Sequence, residues 1–378
     1  MLQAALPAIT RNVAPHAHRP ATIALGLHAA SFSFSTSRAQ TSSGLGRGPS
    51  HLLSLQDMTP NDLTSVLSTA LKFKQQARAG TLQPSLKGKS LAMIFSKRST
   101  RTRVAAETAM ALLGGHALFL TSADIQMGAN ESVRDTAAVL SGMVDGIFAR
   151  VDAHRDLMAL RTHASIPVIN GLSDDYHPTQ ALADLLTMYE TVVADDILGT
   201  GAQLPDDWTV PDTRFDPTKL HGRKLAWVGD GNNVCHSLVL ACAKVGLNAT
   251  IAAPRGYTPK PSIVAEAARM PVVTHSPIDA VRGADFVFTD CWVSMGQEAE
   301  AAARRKAFKG FKVTRDLIHA AGPKAHWRFL HCLPRKNDEV DDAVFYGRES
   351  VVFREAHNRK WTIMAVLHHA LGVGSWQE

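Results

Sequence analysis

The sequence predicts an α/β protein built from two doubly wound parallel-sheet domains, with helices on both faces of each sheet. Three observations carry that expectation. Short apolar runs alternate with Ala- and Leu-rich helical segments from residue 90 to beyond His177. Residues 199–218 then break the rhythm with three prolines and four aspartates. A second alternating series begins at Leu225, and 378 residues suffice for two cores.

The opening stands apart from this pattern. Residues 1–56 hold no Asp or Glu, while Arg11, Arg19, Arg38 and Arg47 lie among many Ser and Ala. That is the composition of an organellar transit peptide. Phe32 and Phe34 suit an amphipathic import helix better than a DNA-binding arm, and no continuous apolar region marks a secretory signal. Without residues 1–47 the formal charge falls from +6 to +2, so the basic balance does not argue for nucleic acid. Apolar residues make up 45% and charged ones 20%, ordinary values for a globular protein, and no run approaches a membrane span. Cys235, Cys242, Cys291 and Cys332 form no CxxC pair, which points to a reducing compartment.

The folded part starts near His51. Thr59-Pro60-Asn61-Asp62 reads as a cap with Pro at the first helical position, opening a helix that Gly80 ends. Strands follow at 90–95, 116–120, 144–150 and 166–170, with helices at 101–113, 132–142 and 154–163 and another after His177. The second series reads as strands 225–228, 249–252, 285–289, 327–332 and 351–353. Its helices are 233–245, 262–269 and a charged one at 297–308. A last helix runs from about Asn358 to Leu371.

Chemistry gathers where strands meet helices. Ser96-Lys97-Arg98-Ser99-Thr100-Arg101-Thr102-Arg103 follows the strand Leu91–Phe95 and opens an Ala-rich helix. A basic run in open chain would read as a solvated patch or import signal; between a strand and a helix it reads as an anion site. Arg150 ends a strand, at the sheet edge where α/β ligands bind. His177 precedes Pro178 and so caps the next helix. Gly229-Asp230-Gly231 invites a dinucleotide reading, but the third glycine is replaced by Val234. Cys332 beside His331 suggests a thiol nucleophile, and Cys235-His236 lacks the second pair a zinc site needs.

Four motifs now stand in order. The Ser-Thr-Arg-Thr-Arg turn, His177-Pro178-Thr179-Gln180, Asp290 through Ser294-Met295-Gly296, and His331-Cys332-Leu333-Pro334-Arg335 resemble the transcarbamoylases, in the sequence seen in the mitochondrial ornithine carbamoyltransferases. The resemblance covers roughly residues 51–372. It implies carbamoyl-phosphate ligands at Ser99, Thr100, Arg101, Thr102, Arg150, His177, Gln180, Leu333 and Arg359, with Gln126 reaching a neighbouring subunit's site. It implies that Asn233, Asp290, Ser294 and Met295 hold ornithine. Arg101, His177, Cys332 and Arg335 would act at the reacting atoms, Cys332 orienting the amine without a covalent intermediate.

Composition makes residues 1–50 a disordered mitochondrial transit peptide, and the resemblance implies a carbamoyl-phosphate domain over 51–185. An ornithine domain follows over 186–355; within it, the breaker-rich residues 199–218 read as an exposed insertion, longer than the family leads one to expect. Interdomain helices join the two, and residues 356–378 form a C-terminal helix returning to the first domain. It implies carbamoyl transfer to the δ-amine of ornithine in the mitochondrial matrix by a homotrimer, with no cofactor, metal, nucleic-acid or membrane partner. The rival within the class is a transcarbamoylase for putrescine or aspartate. Aspartate would need a cation where this chain presents Asp290 and Ser294-Met295-Gly296.

Overall fold

The computed structural model describes residues 50–378 apart from 126, 128, 129, 206, 295, 374, 377 and 378. The segment read as a transit peptide, bar its last residue, and the candidate site residues Gln126 and Met295 lie outside the described residues.

Helix α1 (Pro60–Ala79) begins as the sequence suggests. Thr59 accepts the Asp62 N–H, Asp62 accepts the Thr59 N–H in return, and Gly80 ends the helix at φ 68°. Then come β1 (Ser90–Phe95), α2 (Thr100–Leu112), β2 (His116–Thr121), α3 (Val133–Ser141), β3 (Gly146–Arg150), α4 (His154–His163) and β4 (Val168–Leu172). These strands form a parallel sheet in the order β2-β1-β3-β4. Helix α5 (Pro178–Leu198) is buried on every side from Pro178 to Ala194, as befits a helix lodged between two layers.

The second series is β5 (Lys224–Val228), α6 (Asn233–Lys244), β6 (Asn248–Ala252), α7 (Pro261–Val264), β7 (Val272–Thr274), α8 (Pro277–Val281) and β8 (Phe286–Thr289). It continues through α9 (Ala301–Ala307), α10 (Arg315–Ala321), β9 (Arg328–His331), α11 (Asp342–Phe345) and α12 (Val352–Leu367). Its parallel sheet runs β7-β6-β5-β8-β9. Both sheets reverse winding direction once, between β1 and β3 and between β5 and β8. Such switch points open a crevice at the carboxyl ends of the strands, where ligands of open α/β sheets bind. An apolar cluster that includes Phe95, Phe148, Leu185, Leu238, Trp227 and Ile363 runs from one sheet to the other through α5, α6 and α12.

Three expectations change. The strand read at 351–353 does not form: Ser350 makes one bridge to Phe329, and α12 starts at Val352. Val352, Glu355, Arg359, Ile363 and Val366 recur at helical spacing and are all buried, and that periodicity overrules a short β-branched run. The helix read at 262–269 contracts to α7, while β7, α8, α10 and α11 are too short for periodicity to reveal. Residues 199–218 are not simply an exposed insertion: Val210 and Phe215 are buried, and the Phe215 ring packs 4.6 Å from Tyr189 on α5.

Candidate active site

The crevice between the sheets is a cleft of ≈ 320 Å³. One wall is built from α2. Ser99 caps that helix with extended backbone and makes no capping bond through its side chain, so the first N–H groups of α2 are left for an anion. Ser99, Thr100, Arg101 and Thr102 all line the cleft, as does Arg98, which the motif reading left unassigned.

Arg150, at the end of β3, and Arg359, on α12, join Arg101 there. Both are buried, and Nε of each meets no hydrogen-bond partner among the described residues. Burial and the nearby Arg101 lower Arg150 to about 10, and burial also lowers Arg359 to about 10 although Asp184 opposes it. Three guanidinium groups held this close raise one another's energy, and a bound dianion relieves the repulsion.

His177 faces the same group. Its backbone N–H donates to Ser237 Oγ at 2.7 Å, tying the start of α5 to α6. Burial, then Arg359, Arg150 and Arg101, hold the imidazole well below its ordinary value. It is therefore neutral at pH 7 and donates one N–H, suited to an oxygen that gains charge during reaction. Gln180, one turn further along α5, also lines the cleft, and its Oε1 accepts from Arg359 Nη1. Arg359 Nη2 donates to Thr102 at 3.0 Å and to Thr179 at 3.3 Å.

The opposite wall comes from the second sheet. Gly229, at φ 146°, takes the chain out of β5. A Cβ on Gly231 would overlap Pro259, so both glycines of the broken fingerprint serve the turn itself. Asn232 caps α6 by accepting from Val234 and Cys235, and its Nδ2 donates to Asp290 Oδ2 at 2.8 Å. Asn232 was missed because a capping Asn is an ordinary helix start. Asn233 donates to the Ser173 carbonyl and lines the cleft with Asp290, Ser294 and Cys332.

Burial, then Asp290, push the Cys332 thiol far up. It stays protonated, which suits an orienting S–H and not a thiolate nucleophile. Leu333 sits at φ 58°, its N–H bonded to His331 Nδ1 at 2.9 Å. A non-glycine residue there is a strained position held by its surroundings. Asp290, His331 and Cys332 bring potential ligand atoms within 4.8 Å of one another. Both His331 ring nitrogens are already engaged, Nδ1 by Leu333 and Nε2 by Glu339, so the trio is a poor metal set as it stands.

Among the described candidate site residues, Arg335 alone does not line the cleft. Its guanidinium pairs with Asp342, bonds the Val340 carbonyl and lies 4.7 Å over the Phe345 ring, away from the cleft. Lys336 lines the cleft instead, its Nζ bonded to the Val293 carbonyl at 2.9 Å. A partner, an acceptor and an aromatic face hold Arg335 where it is, while its Nε meets no hydrogen-bond partner among the described residues.

Comparison with known proteins gives the family of the chain. Residues 50–190 match the model for the carbamoyl-P binding domain of the aspartate/ornithine carbamoyltransferases, and residues 221–370 the model for their Asp/Orn binding domain. The chain is 47% identical over 324 residues to a protein of Gallus gallus named ornithine transcarbamylase, mitochondrial, covering 84% of each. It is 45% identical to the mitochondrial ornithine carbamoyltransferase of Schizosaccharomyces pombe, over 85% of this chain and 94% of that one. Solved ornithine carbamoyltransferases from Pyrococcus furiosus and Coccidioides immitis superpose with TM-scores of 0.75 and 0.73, at 42% and 39% identity. The first match covers 87% of this chain and 99% of the other; the second covers 86% and 98%. Fold and cleft thus define a transferase of one-carbon groups. The chain belongs to the aspartate/ornithine carbamoyltransferase family.

Proposed function

We propose that this cleft transfers the carbamoyl group of carbamoyl phosphate to the δ-amine of L-ornithine, giving L-citrulline and phosphate. The observation that carries the assignment of roles is the polarity of the two walls. Arg101, Arg150, Arg359 and a neutral His177 converge on one side, with Asp290 and Asn233 on the other. A phosphorylated dianion fits the first wall, and the ammonium and carboxylate of an amino acid fit the second. The same division supports residues 51–185 as the carbamoyl-phosphate half and 186–355 as the ornithine half, with α12 packed back on α1, α2 and α5.

The δ-nitrogen attacks the carbamoyl carbon, the carbonyl oxygen gathers charge, and the bond from carbon to the bridging phosphate oxygen then breaks. Arg101 and His177 stand to donate to that carbonyl oxygen, each such donor contributing about 10²–10³ in rate. A free alkylamine titrates near 10.4, so the site uses the neutral minority of ornithine and the departing phosphate accepts the proton. The Cys332 S–H orients the amine. Ser99, Thr100 and Thr102 supply further donors to the phosphate.

The enzyme works in the mitochondrion, as the names of its relatives in Gallus gallus and Schizosaccharomyces pombe place those proteins. Assembly as a homotrimer, with Gln126 crossing to the next subunit, fits the exposed Val104, Leu118, Val139 and Met143 of the first sheet and its helices. Citrulline formation from radiolabelled carbamoyl phosphate, run in parallel with ornithine, putrescine and aspartate, tests the reading. Product with ornithine alone is expected; preference for either other amine overturns it.

A further inference from the structure

Beneath the cleft, Asp184 on α5 and Glu355 on α12 are fully buried, and a carboxyl oxygen of each lies within 2.9 Å of the same amide nitrogen. Two ionised carboxylates buried this close repel each other, which favours one proton held by the pair. The pair also takes both N–H bonds of one amide. Gln180 Nε2 donates to Asp184 Oδ1 at 2.8 Å and to Glu355 Oε1 at 2.9 Å. On its other side the amide oxygen accepts from Arg359. The opposite flip would set the NH2 against a guanidinium and the oxygen against two acids. An sp² oxygen has a second lone pair, and Gln180 lines the cleft. The other oxygen of Glu355 accepts the His331 N–H at 2.9 Å, one residue before Cys332. One buried acid pair thus touches α5, α12 and the end of β9.

We propose that Asp184 and Glu355 are a proton-sharing positioning pair, which accepts both N–H bonds of Gln180 and so turns its Oε1 toward the carbamoyl nitrogen. The inference rests on the carbamoyl-transfer reading above. The groups facing the pair fit a single negative charge. Arg359 attracts it from α12, while Asp290, after β8, would oppose a second. The thiols of Cys242 on α6 and Cys332 after β9 also face it and stay protonated. Burial pushes Asp184 up to about 7 and raises Glu355 as well, in keeping with one proton held by the pair.

Two substitutions separate positioning from mere filling of space. Asp184→Asn supplies an N–H where the shared proton was and keeps an acceptor for Gln180. It should hold the Kd for carbamoyl phosphate within about threefold of wild type, whereas Asp184→Ala, which leaves a buried N–H unpaired, should weaken it about tenfold or more. The KM for ornithine should stay within about threefold in both, since neither group lies on the ornithine wall. Infrared difference spectra of the full chain at neutral pH give an independent readout. A buried protonated-carboxyl band should be present in wild type and absent in Asp184→Asn and in Glu355→Gln. Those conservative variants keep the test intact even where the alanine variant does not fold. A band that survives in both, or Asp184→Asn as impaired in carbamoyl-phosphate binding as Asp184→Ala, overturns the proposal. Wild type that binds carbamoyl phosphate and shows the band, yet forms no citrulline from ornithine, would strike the ornithine reading alone.

Discussion

Asn232 donates from Nδ2 to Asp290 Oδ2 at 2.8 Å and thereby ties the turn after β5 to the turn after β8. The two residues stand on either side of the switch point of the second sheet, and the bond fixes the carboxylate proposed to meet ornithine's ammonium. Asp290 is itself buried, and Oδ1 accepts the Cys291 N–H at 2.7 Å. Asp290→Asn keeps the shape and removes the charge. Losing one side of a desolvated charge pair costs about 2–5 kcal/mol, so KM for ornithine should rise tens- to thousands-fold. The Kd for carbamoyl phosphate should stay within a few-fold. The reverse pattern in steady-state and calorimetric data would mean the two walls were assigned the wrong way round.

Arg101→Ala removes the side chain proposed to serve as both phosphate clamp and oxyanion donor. A loss of about 10³ or more in kcat/KM is expected. Near-normal turnover at saturating substrates would rule out the role given to the α2 turn.

Arg335→Ala should behave differently although it lies in a site motif. Its partner Asp342 is largely exposed, so the pair itself contributes about 0–1 kcal/mol, while the buried stem over Phe345 adds a packing loss. Activity should stay within about threefold of wild type, the effect showing instead as a lowered melting temperature. A loss comparable to that of Arg101→Ala would show that Arg335 swings into the cleft during turnover.

Gly231→Ala tests the turn after β5. A Cβ there would overlap Pro259, so the turn must shift and carry Asn232 and Asn233 with it. The expected result is a raised KM for ornithine with carbamoyl-phosphate affinity preserved, read by calorimetry. Equal damage to both ligands would mean that the substitution disturbs more than the second wall.

His177 also predicts how stability depends on pH. Its folded-state value is depressed, so below about 6.5 the unfolded chain binds a proton that the folded chain refuses. Stability from this residue is fully present above about 6.5 and falls by about 1.4 kcal/mol for each pH unit below it. Thermal melts between about pH 7 and 5 should therefore show a shallower decline for His177→Gln than for wild type. Identical slopes would mean that the imidazole is not held neutral.

Much of this protein can be read from its sequence because the relevant signals are local. The β1–α2 turn, the Pro178 helix start and the Asp290 and His331 motifs each sit at a strand end, where residue type and neighbouring periodicity give both position and chemistry. The alternation of short apolar runs with helices gave two parallel sheets for the same reason. What the sequence left undecided depends on contacts between distant segments. Gln180 and Glu355 lie 175 positions apart, and only the packing of α12 against α5 makes the acids the anchor of the amide. Arg335 and Lys336 are adjacent and alike in charge, yet Asp342, Phe345 and a backbone carbonyl hold one away while the other lines the cleft. A motif fixes which side chains arrive at a sheet edge; the partners that tertiary packing places around them decide which way each one points.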